Sequence, residues 1–479
     1  LILCFPLSRL RPRFRTGMEK ETLPLVSPDQ VLSTLNPDGT RRWLAPRLAK
    51  GRYWKKRRVV AYVLMLLFNV LPWIKVGGKP VMLLDLVHRE FTFFGVTFQP
   101  TETVIVTALF LSIFIGIFLA TALWGRVWCG WACPQTVYLE FLYRPIERVT
   151  EGRFHSKGRA GVPFPRKVLK YSVFAVVSLH LSHTFLAYFV GAGEVLSWST
   201  GSPGSHPVGF AIVWGVALLM MFDFSLFREQ MCTLACPYGR LQSALVDPNS
   251  VIIGYDVERG EPRGKGKRGT EKTKDLGDCI ECKLCVAVCP TGIDIRDGLQ
   301  MECIACAECI DACDDVMDKI GKERGLIRYA SEVELAGGKA KLLRPRTILY
   351  TALFVALLGI FVSLLGSREL SNISILRTGG SPFTALPDGR VMNLFKVRLE
   401  NRNKVDRTYT IDIVEPGFTT SPEALRVELG PSETEEFQFS VFGMFDQFKD
   451  GQADLHLRVS DGVDFESITV HPMVGPKNL

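Results

Sequence analysis

Apolar residues fall into two kinds of run along this chain. The first kind is long and unbroken: Val59–Ile74, Thr103–Trp124, Val168–Val190, Val208–Phe227 and Thr347–Leu365. A bilayer-crossing helix needs roughly 20 such residues, so the pattern predicts five membrane helices. Any one of these runs alone could be a buried core helix, but five in one chain argue for a membrane. The first is the shortest and contains Asn69 and Pro72. The second kind of run begins after Ser371. NLFKVRLENR, RTYTIDIVEP, EEFQFSVFG, LHLRVSDG and FESITVH alternate apolar with polar, and turns such as Pro387-Asp388-Gly389 and Ser460-Asp461-Gly462 separate them. Short alternating strands at this spacing predict a small immunoglobulin-like β-sandwich. It holds no cysteine and reads as a docking or dimerising module.

Charge orients the helices. The chain is 47% hydrophobic with a formal charge of +8, unevenly spread. Arg41, Arg42, Arg47, Lys50, Arg52 and Lys55 to Arg58 precede the first run, and Arg126, Arg144, Arg148, Arg153, Arg166 and Lys167 lie between the second and third. Residues 194–207 carry no Lys or Arg. The positive-inside rule places the basic segments in the cytoplasm and the neutral loop outside. VMLLDLVHREFTFFGVTF, with Asp85, His88, Arg89 and Glu90, fits the outer membrane interface or one wall of a quinol site. ERGEPRGKGKRGTEKTK reads as a solvated linker, not as a nucleic-acid patch. Residue 1 is Leu; Met18 is read as the natural start, and residues 1–17 as sequence upstream of it.

Eight of the thirteen cysteines form two runs of identical spacing. CIECKLCVAVCP, from Cys279, and CIACAECIDAC, from Cys303, both read C-x2-C-x2-C-x3-C. This is the bacterial ferredoxin pattern for two [4Fe-4S] clusters, in which the fourth cysteine of each run serves the other cluster. Cys279, Cys282, Cys285 and Cys313 are therefore assigned to one cluster, and Cys303, Cys306, Cys309 and Cys289 to the second. Zinc or disulfides would explain one C-x2-C pair, not two complete copies. Pro290 follows Cys289 but Asp314 follows Cys313, which weakens the expected turn after the second run. Clusters and free thiols require a reducing compartment, so this insert is cytoplasmic, in agreement with its charge.

Four more cysteines form a repeat: RVWCGWACPQ and REQMCTLACPYG are both C-x3-C-P, each after a membrane run. Residues i and i+4 share a helix face, so Cys129 can meet Cys133, and Cys232 can meet Cys236. Proline after the second cysteine marks a helix break or restart. Four thiols at one face admit Cu(I) binding, dithiol–disulfide cycling, a third metal centre of four cysteines, or simple packing. Met231, Met220 and Met221 add thioethers that are either ligands or core. Cys4 is left over. His180 and His183 lie inside the third run, where ionisable residues point to function; haem, quinone, copper or an interhelical hydrogen bond would use them. Asp223 is expected to pair with an arginine.

The domain order and these motifs resemble one family from about Met18 onward: CcoG, also called FixG or RdxA, an accessory protein for assembly of the cbb-type haem–copper cytochrome c oxidase. The resemblance implies a mixed fold, with a five-helix membrane bundle, an inserted cytoplasmic ferredoxin domain and a C-terminal periplasmic immunoglobulin-like sandwich. The expected boundaries are 1–58 for the basic segment, 59–227 for four helices, 228–346 for linker and ferredoxin domain, 347–366 for the fifth helix and 367–479 for the sandwich. It further implies a cupric reductase with two [4Fe-4S] clusters and copper as substrate, in a bacterial inner membrane. The ferredoxin ligand roles carry over to the eight cysteines named, and the C-x3-C-P role to Cys129, Cys133, Cys232 and Cys236. His180, His183 and His88 receive no role from it. Expected partners are copper ions, a cytoplasmic electron donor, oxidase assembly factors or a copper transporter or chaperone, membrane lipid and a second copy of the chain. A quinol-linked electron-transfer subunit and a non-enzymatic assembly scaffold are the rival functions.

Overall fold

The long apolar runs become helices. The computed structural model describes residues 33–35, 40–76, 79–87, 89–99, 102–152, 161–264, 276–369, 371–377, 381–403, 405–423, 425–431 and 433–476. Cys4, Met18, His88 and most of the expected linker lie outside them. Among the described residues, four helices are long and apolar enough to cross a membrane: Thr103–Trp124, Phe164–Val190, Pro207–Phe227 and Pro345–Gly366. Their outward apolar side chains, such as Phe110, Leu218, Leu353 and Val362, are exposed in the isolated chain, as lipid-facing residues would be. The first expected helix differs. It spans Arg52–Val70, then tightens into a 3-10 turn over Leu71–Trp73. Pro72 has no N–H to continue the ladder, so the apolar helical part stops short of a full span.

The chain forms two compact units, and the division falls inside the long helices. One comprises Leu1–Phe68, Ile115–Ser182 and Ala211–Ala352. Its cysteine-rich part is closed by an antiparallel pair, Ile252–Tyr255 with Ile327–Ala330. Ile253, Ile295, Ile310, Val316, Met317, Leu326 and Ile327 form its core together with the cysteines. A second cluster packs Tyr143 on Phe224 at 4.1 Å and edge-on to Phe174 at 4.8 Å. Beside it runs a buried ionic network. Arg228 grips both oxygens of Glu147 at 3.1 Å, Lys170 donates to Glu151 at 2.8 Å, and Arg144 pairs with Glu140. Buried pairs of this kind cost much of their attraction in desolvation and serve geometry more than stability.

The other unit comprises Asn69–Phe114, His183–Phe210 and Leu353–Leu479. The segment expected at the membrane interface is a three-stranded antiparallel meander, Met82–Asp85, Glu90–Phe93 and Val96–Phe98. Its second turn puts Phe94 and Gly95 at φ +51° and +77°, which matches the right-handed twist of the flanking strands. Part of the expected outer loop is helical, Ala192–Thr200, up to Gly201. The sandwich is present as two antiparallel sheets. One orders Thr419–Ser421, Thr434–Met444, Arg390–Asn401 and Ser371–Arg377, with Thr384–Ala385 also on the third strand. The other orders Leu425–Leu429, Arg407–Ile413, Gln452–Ser460 and Glu466–Val474. Alternate residues Phe395, Val397, Leu399, Leu455, Leu457 and Val459 fill the space between them. Asn401 pins a corner by donating to the carbonyls of Val405, Leu429 and Gly430.

Candidate iron–sulfur and membrane cysteine sites

The two ferredoxin runs share a backbone device. Glu281 and Lys283, flanking Cys282, have φ +54° and +56°; Ala305 and Ala307, flanking Cys306, have φ +52° and +63°. Left-handed non-glycine residues are uncommon. Alternating them with residues of negative φ turns successive N–H groups to one side, a concavity typical of iron–sulfur sites. Cys285 sits in the short helix Leu284–Ala287, while Cys309 and Cys313 lie one turn apart on Glu308–Ile320. Two cavities result. Cys279, Cys282, Cys285 and Cys313 line one, with Tyr255 and Arg296; Cys289, Cys303, Cys306 and Cys309 line the other. Cys285 borders both. Two four-thiol cavities walled by isoleucine and framed by N–H-rich loops fit iron–sulfur clusters. Cys282 is exposed, whereas Cys306 and Cys309 are buried, so the first site faces solvent and the second faces inward. Asp314 replaces the expected proline because no turn follows Cys313. The helix runs on to Ile320, and Asp314 accepts the Gly325 N–H at 3.0 Å.

The membrane motifs differ from a shared helix face. Cys129 lies in the five-residue helix Val127–Trp131, and Cys133 caps the next helix, which starts at Pro134. Cys232 lies in a π-turn, Met231–Ala235, and Cys236 caps Pro237–Leu245. The prolines restart the helix after each second cysteine. The two motifs nevertheless meet. Arg126 donates from Nε to Gln242 Oε1 at 3.2 Å and from Nη2 to the Gly239 carbonyl, while Cys129 Sγ donates to the same Gln242 oxygen at 3.2 Å. Gly239 lies against the Cys232 carbonyl and Cys236 Cβ. Burial pushes the Cys129 thiol up to about 12, partly offset by Arg126 and reinforced by Cys133 and Cys236. Cys232 is raised further, by burial and then by Cys133, Cys129 and Cys236. Among the described residues, no three His, Cys, Asp or Glu side chains close to single-ion spacing.

The two cysteine systems touch. A Cβ on Gly130, between Cys129 and Cys133, would lie 2.5 Å from the Ile304 carbonyl oxygen and 2.9 Å from Ala305. Only glycine permits this approach to the loop between Cys303 and Cys306. Fully buried Arg57 clamps it, donating to the Gly130 carbonyl and to Glu308 Oε1, both at 2.8 Å. Trp131 donates to Tyr329 OH at 3.0 Å, which donates to the Ala305 carbonyl at 2.7 Å. Asp311 accepts the N–H groups of Tyr53 and Trp54, tying the helix that carries Arg57 to the ferredoxin helix.

Known proteins place this arrangement. The family described as 4Fe-4S dicluster domain matches residues 227–332, and 4Fe-4S binding domain matches 106–156. The immunoglobulin-like fold at the C-terminus of FixG, described as an oxidoreductase, matches 361–471. The nitrogen fixation protein FixG of Rhizobium meliloti is 33% identical over 78% of this chain and 79% of its own. Proteins RdxA and RdxB of Cereibacter sphaeroides are 34% and 36% identical, over 77% and 81% of this chain and 81% and 85% of theirs. The chain belongs to the FixG/RdxA family. It is a multi-pass membrane iron–sulfur electron-transfer protein.

Within this FixG/RdxA chain the weaker candidates fare differently. His180 is exposed on its helix and His183 half-buried, and neither completes a single-ion site as placed. Met220 and Met221 pack against the Tyr143–Phe174–Phe224 cluster, which is the core role. Met231 is exposed. Asp223 makes no ion pair among the described residues; Arg228, five residues on, is engaged by Glu147. The joint residues Arg57, Arg126, Gly130, Gln242 and Tyr329 escaped the sequence reading. Arg57 and Arg126 had registered only as orientation charges, and the one available signal was Gly130 inside CGWAC.

Proposed function

We propose that this chain reduces Cu(II) to Cu(I) on the cytoplasmic side of a bacterial inner membrane, for assembly of a cbb-type haem–copper oxidase. The helix Arg52–Val70 with its 3-10 extension serves as a fifth, shallow span, which puts the N-terminus and ferredoxin domain in the cytoplasm and the sandwich in the periplasm. The basic residues before that helix support this orientation. Two [4Fe-4S] clusters, when bound by the eight ferredoxin cysteines in the crossed pairing, supply one-electron storage and transfer. The chain sets where that capacity is exposed. The Cys282 side faces a soluble low-potential carrier, and Gly130, Arg57 and Tyr329 hold the Cys303–Cys306 loop against the membrane cysteines. Cu(II) accepts one electron at that face, and soft sulfur favours the Cu(I) product. The sandwich then offers a periplasmic surface to assembly partners and to a second copy of the chain.

The contact of Gly130 with Ile304 and Ala305 carries this reading, because it joins an electron-carrying domain to a soft-ligand site. The test is anaerobic Cu(II) reduction by full-length protein, read with a Cu(I)-specific chelator. Wild type is compared with a variant in which Cys129, Cys133, Cys232 and Cys236 are all serine. Turnover lost while the ferredoxin clusters remain supports the proposal. Equal rates would refute it and turn attention to quinol as the redox partner.

A further inference from the structure

We infer that a cavity at the ends of two membrane helices, walled by Arg144, Arg148 and Lys170, binds a singly charged phosphate group. The source is either the phosphodiester of an anionic lipid headgroup or inorganic phosphate. This goes beyond the copper proposal and does not depend on it. The cavity measures about 90 Å³, several times the roughly 10–15 Å³ that one water needs. Arg144, Glu147, Arg148, Glu151, Lys170 and Arg228 form its charged wall, and residues 43–46 close it with an apolar one. Its place in the fold sets its depth. Lys170 lies near the start of the span Phe164–Val190, and Arg228 directly follows the span Pro207–Phe227. Both groups therefore sit where hydrocarbon gives way to headgroups, the level at which basic pockets between membrane helices take lipid phosphates.

The charged wall has donors to spare. Arg144 is buried and pairs with Glu140 through Nη1. Its Nη2 stops 3.6 Å from Glu229 Oε2, beyond hydrogen-bond reach. Its Nε has no acceptor among the described residues, and neither has Arg228 Nε, 3.7 Å from the same Glu229 oxygen. Arg148 is half-buried and makes no ion pair among the described residues. Buried N–H groups without acceptors are costly, and an oxyanion in the cavity these arginines line gives them one. Guanidinium matches phosphate in geometry as well as in charge. The lining and its ion-paired neighbours hold five cations, Arg41, Arg144, Arg148, Lys170 and Arg228, against four carboxylates, Glu140, Glu147, Glu151 and Glu229. One positive charge is left over, which suits a single negative charge and repels a metal cation.

The apolar wall gives the site a consequence. Arg41 ties this strap to the helix end, donating to Glu229 at 3.0 Å and to the Phe227 carbonyl at 3.3 Å. Leu44 lines the cavity and also packs on the ferredoxin domain, where a Cβ on Gly292 would lie 2.7 Å from Leu44 Cδ2. The Arg47 N–H then donates to the Ala287 carbonyl at 2.8 Å. The strap thus runs from the membrane helix, past the cavity, to the loop behind Cys289. A phosphate bound under it fastens the ferredoxin domain to the bilayer surface.

The test is thermal unfolding of full-length, delipidated protein in detergent at fixed ionic strength. The additions are dihexanoyl phosphatidylglycerol, dihexanoyl phosphatidylcholine or sodium phosphate. Phosphatidylglycerol should raise the midpoint by a few degrees, as a ligand of the folded state does. Phosphatidylcholine, whose ammonium meets the surplus positive charge, should not. A rise with inorganic phosphate assigns the bare oxyanion, and a rise with phosphatidylglycerol alone assigns the lipid headgroup. Arg148→Gln keeps every ion pair of the network and should weaken the protecting ligand about tenfold. Lys319→Gln removes the same charge from an exposed helix pair and should leave the affinity unchanged. Protection by neither phosphate compound, equal protection by phosphatidylcholine, or an unchanged affinity in Arg148→Gln would overturn the inference.

Discussion

The ferredoxin runs and the membrane motifs both gather four-thiol sets from a repeated sequence, but they do so by different means. In the ferredoxin domain three cysteines of each set come from one loop, shaped by Glu281 and Lys283 or by Ala305 and Ala307 in the left-handed region. Local geometry does most of the work, and the fourth ligand arrives from the partner run. In the membrane motifs each stretch gives two thiols, and a helix restart at Pro134 or Pro237 separates them. The set comes together through long-range contacts between the motifs, made by Arg126 and Gln242 and by Gln135 donating to the Arg228 carbonyl. The first kind of site is written in spacing; the second is made by the fold.

The largest break in this comparison should come from Cys306→Ser or Cys309→Ser. Both cysteines are buried in the ferredoxin core, so either change should remove about four irons and open that domain to protease. Cys129→Ser should leave the ferredoxin core protected. Arg57→Met comes next. It strands Glu308, which is buried 251 residues away in sequence, and such breakage costs about 3–5 kcal/mol. Thermal unfolding in detergent checks this, and adding Glu308→Leu should recover much of the loss. Gly130→Ala forces a Cβ into the Ile304 carbonyl and should cost about 1–3 kcal/mol. It sharpens the comparison by loosening the joint while leaving the twelve cysteines of the two systems in place.

The smallest effect lies in the cysteine-free sandwich, a control for both sites. Burial pushes the Asp461 carboxyl up, but the N–H groups of Phe465, Val463 and Asp464, with Arg407 beside it, outweigh this and hold it below the usual carboxylate range. Its stabilisation is therefore present above the unfolded pKa of about 3.9 and lost as pH falls through the lower folded value. Asp461→Ala should cost about 0.5–1.5 kcal/mol at neutral pH and flatten the acid limb of the sandwich's melting profile, without changing iron content.

The sequence was most legible where one kind of residue ran unbroken or alternated. Thr103–Trp124 was bounded to the residue, because its apolar run ends at Gly125-Arg126. Strand Arg390–Asn401 was found by its alternation. The first helix was overextended because apolar residues continue past Pro72, where the α-helical ladder gives way to a 3-10 turn. The meander was not read as strands because its buried positions include polar Thr92 and Thr97 while Phe91 and Phe93 are only partly covered, which runs against the usual apolar-inward alternation. The joint made by Arg57, Gln242 and Gly130 was not legible because their partners lie far away in sequence. Gly130 reveals its importance only against Ile304.

The most direct test of the account is a single-turnover titration. Full-length protein is reduced anaerobically, freed of reductant, and mixed with substoichiometric Cu(II), with cluster absorbance and Cu(I) followed together. The account predicts one Cu(I) formed for each electron leaving the clusters, and a large slowing when Cys129, Cys133, Cys232 and Cys236 are serine. Cluster reoxidation at an unchanged rate in that variant would contradict it, because electrons would then reach copper without passing the membrane cysteines.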